Sequence, residues 1–281
     1  MEGGEGVRYV EVVEEARAVT DELVVVERPV EGAAVVRLND PSKLNVLSAA
    51  LTLQLQDALA EVVADPEVRT IVLTGTDPAF SAGGDLRMMA GSGQAMIREG
   101  EGGTTEIWRW IRERFGGVVR TIVRTDKAFV AAVNGAAAGV GLAFALACDV
   151  IVVSDRARIV PAFGRIGLLP EVGTSWLLTR RLGYQRTFGL FAAGEHLSGE
   201  EAHSLGLANE LVEHDSLMPA ALRWAERVSA LPPHVVPMMK PQLRAASDMT
   251  WDHALAMEEF AEPGTFTTVA HREAVAELLG R

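Results

Sequence analysis

Two glycine-bearing segments, each close behind an apolar run, offer backbone amides as reactive groups. The first is Ala79-Phe80-Ser81-Ala82-Gly83-Gly84-Asp85-Leu86, downstream of Ile71-Val72-Leu73. Two glycines behind a buried strand let the backbone approach a ligand closely, with N–H groups free to point at it. An ordinary strand-to-helix turn, with Asp85 near a helix cap, accounts for the same residues. The second is Val133-Asn134-Gly135-Ala136-Ala137-Ala138-Gly139-Val140-Gly141-Leu142-Ala143. Its small residues run into a helix start, where unpaired N–H groups and the positive dipole end face whatever lies there. Tight helix packing also selects alanine and glycine. Backbone N–H groups of this kind can receive the anionic part of a ligand.

Side chains add fewer candidates. Glu171 lies in Phe163-Gly164-Arg165-Ile166-Gly167-Leu168-Leu169-Pro170-Glu171-Val172-Gly173-Thr174-Ser175, just ahead of Trp176-Leu177-Leu178. The preference of a helix start for negative charge explains a carboxylate there. The alternative is a proton carrier, whose pKa an apolar surround of Phe163, Leu168 and Leu169 would raise. The histidines (His196, His203, His214, His234, His253 and His271) all come late and show no metal-ligand spacing, so no metal site is expected. Ser81 and Ser175 lack the G-x-S-x-G elbow of serine hydrolases. Cys148 is the one cysteine, which rules out an intrachain disulfide and a thiolate-rich metal site and fits a reducing, cytoplasmic setting.

Alternating strands and helices must hold these groups. The runs from Leu23 to Glu27 and from Ala33 to Leu38, separated by a turn at Pro29 to Gly32, predict a hairpin. Asn39-Asp40-Pro41 breaks the second strand. Leu51, Leu55, Leu59 and Val62/Val63 repeat with helical spacing, Asp65-Pro66 ends that helix, and Thr70-Ile71-Val72-Leu73 has strand length. The alternation returns as strand Phe129 to Val133, helix Val140 to Ala147 and strand Asp149 to Val153. Continuous apolar strands between helices imply parallel pairing in a sheet covered on both faces. Gly91 to Thr105 reads as a flexible loop, followed by a helix carrying Ile107, Trp108, Ile111 and Phe115. Beyond about Gly206 strands nearly vanish, and helices punctuated by Pro232-Pro233, Pro237 and Pro263-Gly264 remain. The expected division is an accessory or mobile extension over 1–20, an α/β core over 21–205, and a helical region over 206–281. That region would pack on the core or on a neighbouring subunit.

The bulk composition is compatible with this. The 281 residues are 48% hydrophobic with mean hydropathy +0.16, enough for a large core. A net charge of −12 disfavours nucleic acid as a partner, so an anionic ligand would need backbone amides or a few placed cations. The acidic N-terminus has no apolar region of the secretory kind. The longest apolar stretch, Phe129 to Cys148, is broken by Asn134 and glycines, so no membrane span is expected.

Taken in order, the segments resemble the enoyl-CoA hydratase/isomerase (crotonase) family. Leu38-Asn39-Asp40-Pro41-Ser42-Lys43-Leu44-Asn45-Val46-Leu47 is similar to its first coenzyme A-contacting segment. Phe80 to Leu86 is similar to its first oxyanion segment, and Asn134-Gly135 through Gly139-Val140-Gly141 to Cys148-Asp149 to its second. The resemblance runs from about Leu23 to the C-terminal helices. It implies a ClpP/crotonase-like α/β spiral of ββα turns with a C-terminal helical region, assembled as a homotrimer or a dimer of trimers. It implies that the amides of Gly84 and Val140 form an oxyanion hole. Lys43, Leu44, Val46, Ala82, Gly83, Asp85, Leu86, Gly139 and Phe163 would line the coenzyme A and acyl site. Coenzyme A would arrive as part of the acyl-CoA substrate, with no permanently bound cofactor. Trp108, Trp110 and Phe115 fall where the family builds its acyl-pocket wall, or else are simply the buried aromatics of a helix.

The hydratases of the family use two glutamates, and the matching positions here hold Ala143 and Phe163. Phe163 to Ser175 resembles instead the corresponding stretch of the family's enoyl-CoA isomerases, including ring-expanding and Δ3,Δ2 types, which carry one Glu or Asp directly after the proline. The resemblance therefore implies double-bond migration with Glu171 as the acid/base. The alternatives are hydration with Glu171 alone, retro-Claisen hydrolysis, and an acyl-CoA-binding or scaffold protein without catalysis.

Overall fold

In the computed structural model, which describes residues 9–90 and 103–280, the hairpin forms from Val24–Val30 (β1) and Ala33–Leu38 (β2), paired antiparallel. Thr70–Gly75 (β3) then lies parallel to β2, and Ala79–Ser81 (β4) leaves for a second sheet. The pattern repeats twice. Ala128–Val133 (β5) joins the main sheet and Ala136–Ala138 (β6) the second; Val150–Ser154 (β7) joins the main sheet and Arg158–Val160 (β8) the second. Leu197–Ser198 (β9) closes the second sheet antiparallel to β8, and Glu210–Val212 (β10) closes the main sheet parallel to β7. The orders are β1-β2-β3-β5-β7-β10 and β4-β6-β8-β9. Each turn of the spiral is thus a main-sheet strand, a short strand and a helix.

Every residue of β3 and β5 is buried, as expected of a sheet covered on both sides. Alternate side chains split between two cores. Val36, Ile71, Leu73, Phe129, Ala131 and Val133 face the helices Ala49–Ala64, Gly116–Arg124 and Val140–Ala147. Val35, Val72, Val130, Ala132 and Val152 face Leu217, Ala220, Ala221 and Ala225 of the helix Leu217–Ser229. Fully buried Phe80, Phe129 and Phe144 each stabilise the fold by about 1.5–3 kcal/mol relative to exposure.

Three boundaries differ from expectation. The supposed accessory extension contains a helix, Tyr9–Arg17, that buries Tyr9, Val12 and Ala16 against the core. The Tyr9 hydroxyl donates to Glu113 at 2.7 Å, and burial with that bond pushes its pKa up to about 12. An apolar stripe three and four residues apart within a charged segment was the available sign. The boundary drawn at 205 runs through packed structure, because β10 and the helix Leu217–Ser229 complete the main sheet and its second core layer. Only the later helices stand outside: Trp251–Thr265 and Val269–Leu278 have no buried residues. The loop expected over Gly91 to Thr105 lies outside the described residues as far as 102, and from Gly103 the chain is helical.

The helix Val235–Ala246 is pinned to the core by charge. Lys240 and Arg244 reach the Asp149 carboxylate at 2.8 and 2.6 Å, and Arg244 also donates to the Ala147 carbonyl at the end of the helix Val140–Ala147. Removing one partner of such a buried pair typically costs about 3–5 kcal/mol. Beside this knot Cys148 is buried and its thiol pushed far up by desolvation, which leaves it without nucleophilic character.

Candidate active site

The two glycine segments meet where the second sheet begins. Strands β4 and β6 pair, Ala79 with Ala136 and Ser81 with Ala137, and this carries the chain beyond each into contact. A methyl group on Gly83 would stand 2.6 Å from the Ala138 carbonyl oxygen and 3.6 Å from the Gly139 Cα. Gly83 (φ +86°) and Gly139 (φ +51°) are also left-handed, so glycine is required at this crossing for space and for backbone angle.

Planar peptides then fix where the next amides point. The Gly83 carbonyl accepts from the Leu47 amide at 2.8 Å, so the Gly84 N–H, opposite it across the trans peptide, is aimed away from Leu47. The Gly139 carbonyl accepts from the Ala143 amide at 3.1 Å as the first helical bond, so the Val140 N–H projects from the helix start. Among the described residues neither amide donates to a protein acceptor.

The third component is the loop after β8. The ring of Phe163 is buried and would lie 3.9 Å from a methyl group on Gly139, which places this loop beside the second glycine segment. Eight residues on, Glu171 precedes two left-handed residues, Val172 (φ +45°) and Gly173 (φ +93°). A β-branched residue in that region is strained by about 1–3 kcal/mol. Thr174 holds the turn: its amide and its hydroxyl donate to the Glu171 carbonyl at 3.0 and 2.8 Å. The N-cap of the helix Thr174–Leu182 is Gly173, and among the described residues no hydrogen bond joins the Glu171 carboxylate to that helix start. Its Oε2 is buried with no hydrogen-bond partner, and burial pushes its pKa up to about 7. The glycine crossing therefore offers two amides without a protein acceptor among the described residues, and the loop after β8, which reaches the crossing at Phe163, carries one carboxylate whose pKa burial raises to about 7.

The sequence profile described as enoyl-CoA hydratase/isomerase matches residues 29–277. The 1,2-epoxyphenylacetyl-CoA isomerase of Escherichia coli K12 is 30% identical over 253 residues, covering 89% of this chain and 93% of that protein. The chain belongs to the enoyl-CoA hydratase/isomerase family. A 4-chlorobenzoyl coenzyme A dehalogenase of an Arthrobacter species is 32% identical over 223 residues, covering 78% of this chain and 77% of that protein. The crystal structure of an enoyl-CoA hydratase from Polaromonas sp. JS666 superposes with a TM-score of 0.83 at 30% identity, covering 92% of this chain and 96% of that one. Three reactions appear among three relatives, so the family alone does not fix the chemistry.

Within this family member the expected lining residues occupy two kinds of place. Lys43, Leu44, Ala82 and Leu86 are exposed along one run of surface beside the glycine crossing, Val46 is partly covered, and Lys43 pairs with Asp40 at 3.3 Å. Asp85 acts as a helix cap: its Oδ1 accepts from the Arg87 and Met88 amides at 2.8 and 3.3 Å. Ala143 and Phe163, which the resemblance matches to the two glutamates of the hydratases, are both buried and apolar. Trp110 and Phe115 are core residues, whereas Trp108 is 56% exposed with the Arg112 guanidinium over its ring. Leu168 and Leu169 do not build the apolar surround expected for Glu171, because Leu169 is 84% exposed and Leu168 41%.

Two residues beneath the crossing, Asn45 and Ser81, lie in segments singled out in the sequence, but their supporting role was not read there. Asn45 is fully buried at φ +53°; its Nδ2 donates to the Thr76 and Ala79 carbonyls, each at 2.7 Å, and its Oδ1 accepts from the Asp40 amide at 2.9 Å. Ser81, also fully buried, donates to the Asn45 carbonyl at 2.8 Å. Asparagine is among the few residues that tolerate the left-handed region, and that was the one available hint.

Proposed function

We propose that this protein is an enoyl-CoA isomerase, acting on an acyl-CoA thioester by moving a double bond between the 3 and 2 positions. The Gly84 and Val140 amides bind the thioester oxygen. The Glu171 carboxylate takes a proton from C2 of a 3-enoyl-CoA, and the released electron pair delocalises into a dienolate whose charge rests on that oxygen. The Glu171 acid then returns the proton at C4, which gives the 2-enoyl-CoA and restores the carboxylate. In such sites one preorganised donor contributes about 3–4 kcal/mol to transition-state stabilisation. Coenzyme A comes with the substrate along the surface of Lys43, Leu44, Val46, Ala82, Gly83, Asp85 and Leu86, and no resident cofactor takes part.

The observation that carries this reading is the single unpartnered carboxylate of Glu171, with apolar Ala143 and Phe163 where two glutamates would hold water. A returned proton needs one carboxylate; addition of water benefits from a second group to orient it. Incubation with 3-enoyl-CoA and, separately, 2-enoyl-CoA tests the assignment. Bond migration without 3-hydroxyacyl-CoA is expected. Hydration of the 2-enoyl-CoA as the main reaction defeats it, and tight binding of both without turnover leaves an acyl-CoA-binding protein.

The active unit is a homotrimer or a dimer of trimers formed through the C-terminal helices. Phe260, 90% exposed, together with Trp251, Phe266 and Leu278, gives those helices an uncovered apolar surface. A monomer mass by light scattering would contradict the assembly.

A further inference from the structure

Ser81 touches both glycine segments at once. Its Oγ accepts from the Gly83 amide at 3.2 Å and donates to the Asn45 carbonyl at 2.8 Å, which fixes the hydroxyl proton on Asn45. On its other side it meets the second segment: a methyl group on Gly141 would stand 2.6 Å from the Ser81 Cβ and 2.8 Å from its Oγ. Asn45 is in turn immobilised by its three side-chain bonds to Thr76, Ala79 and Asp40. The same loop reaches the first segment twice more, through the Ala82 amide on the Leu44 carbonyl at 2.9 Å and the Leu47 amide on the Gly83 carbonyl at 2.8 Å.

The Gly83–Gly84 peptide is therefore held at both ends of Gly83, by Ser81 at its N–H and by Leu47 at its C=O. The helix that begins with Val140 rests on the same serine through Gly141. We propose that Ser81, locked by Asn45, is the positioning residue that sets the spacing and tilt of the two amides, so that the hole is formed before substrate arrives. Neither side chain touches the thioester. The proposal rests on Gly84 and Val140 forming the oxyanion hole, and it adds what holds them in register.

A hole of this kind acts on charge that develops late, so its misalignment is felt in enolate formation far more than in binding. Displacements of about 1 Å at such sites reduce rate by about 100-fold. Acetoacetyl-CoA is the probe, because its bound enolate absorbs in the near ultraviolet and forms without Glu171 turnover. The wild-type protein is expected to show the enolate band. Ser81→Ala is expected to lower the enolate fraction by about 10- to 100-fold while the dissociation constant changes less than about threefold. Ser81→Cys, close in shape and a weak donor and acceptor, should fall between the two. Gly141→Ala pushes on the same contact from the opposite side and should lose enolate as well.

Should Ser81→Ala fail to fold by circular dichroism, Ser81→Cys and Gly141→Ala decide the matter, a loss of about tenfold in either supporting the role. A full enolate band in the folded Ser81 variants overturns the positioning role while leaving the hole intact. Absence of the band in the wild-type complex instead overturns the oxyanion assignment itself.

Discussion

The glycine crossing and the loop that carries Glu171 meet where Phe163 lies beside Gly139, yet they are built on opposite plans. At the crossing the candidate groups are backbone N–H, the carbonyls of their peptides are tied to Leu47 and Ala143, and the side chains of Asn45 and Ser81 beneath them are buried and hydrogen-bonded. In the Glu171 loop the candidate group is one side chain, on a turn strained at Val172, with a buried oxygen that has no hydrogen-bond partner among the described residues and flanking leucines turned to solvent. At the crossing the donors belong to the main chain, and side chains such as Ser81 act only on their placement. The loop can change its chemistry with one substitution.

The largest test separates the two regions. Glu171→Gln keeps the shape and removes the base. It is expected to lower kcat by about 10³-fold, within the range a positioned acid/base supplies, with acyl-CoA affinity nearly unchanged. Steady-state kinetics with 3-enoyl-CoA and a binding titration measure both. Full activity in this variant would move the chemistry to another group and dissolve the contrast.

Gly83→Ala attacks the crossing from within. A methyl group 2.6 Å from the Ala138 oxygen, at φ +86°, forces the two segments apart. Loss of about 100-fold in kcat is expected, accompanied by a lower melting temperature. An active variant with unchanged melting would show that the segments are not closely fitted.

These two regions were also unequally legible in the sequence. The glycines of the crossing were visible, but each segment alone also fitted a turn or tight helix packing, and only their order in the family resemblance joined them. The main-sheet strands were clear, since a sheet buried on both faces needs unbroken apolar runs such as Phe129 to Val133. The short strands β4, β6 and β8 were not, because three residues carry no periodicity and their pairing is set by the spiral. Glu171 was visible as a residue but not as an environment. Its isolation from any partner, and the exposure of Leu169, arise from how the loop folds rather than from its neighbours in the chain. Tyr9 and the helix Leu217–Ser229 were assigned to extensions because their partners, Glu113 for Tyr9 and Val35, Val72, Val130 and Val152 for the helix, lie far away along the chain.

The raised pKa of Glu171 gives a prediction in pH that joins activity to stability. With the carboxylate as base and its pKa pushed up to about 7 by burial, kcat should fall tenfold per unit below that pH and level off above it. Stability should move the other way. The folded state holds the proton more tightly than the unfolded chain, for which the ordinary value of 4.5 applies. Between those values the folded state binds the extra proton, so stability declines as pH rises through the window. Above it the buried charge costs about 2–3 kcal/mol relative to the protonated form. Glu171→Gln should therefore be more stable than wild type at pH 8.5 (~2–3 kcal/mol) and nearly equal to it at pH 4.5. Urea unfolding at the two pH values reads the difference, and a constant offset would mean the carboxylate is not desolvated.

The smallest effect is expected where the two plans overlap, at Asp85, a side chain on the first glycine segment. Its Oδ1 caps the Arg87 and Met88 amides, so its presence is accounted for by the helix Leu86–Ala90. Asp85→Asn preserves an acceptor at the cap and removes the charge; Asp85→Ala removes both. If the residue serves only the cap, Asn is neutral and Ala costs about 1 kcal/mol, felt as a weaker hold on acyl-CoA through a frayed helix rather than in kcat. If the carboxylate instead contacts the substrate, Asn alone shifts KM, in a salt-dependent way because the coenzyme A moiety is anionic. Measuring KM for both variants at low and high ionic strength distinguishes a cap from a contact, and only the second outcome would extend the single-side-chain plan of the Glu171 loop into the crossing.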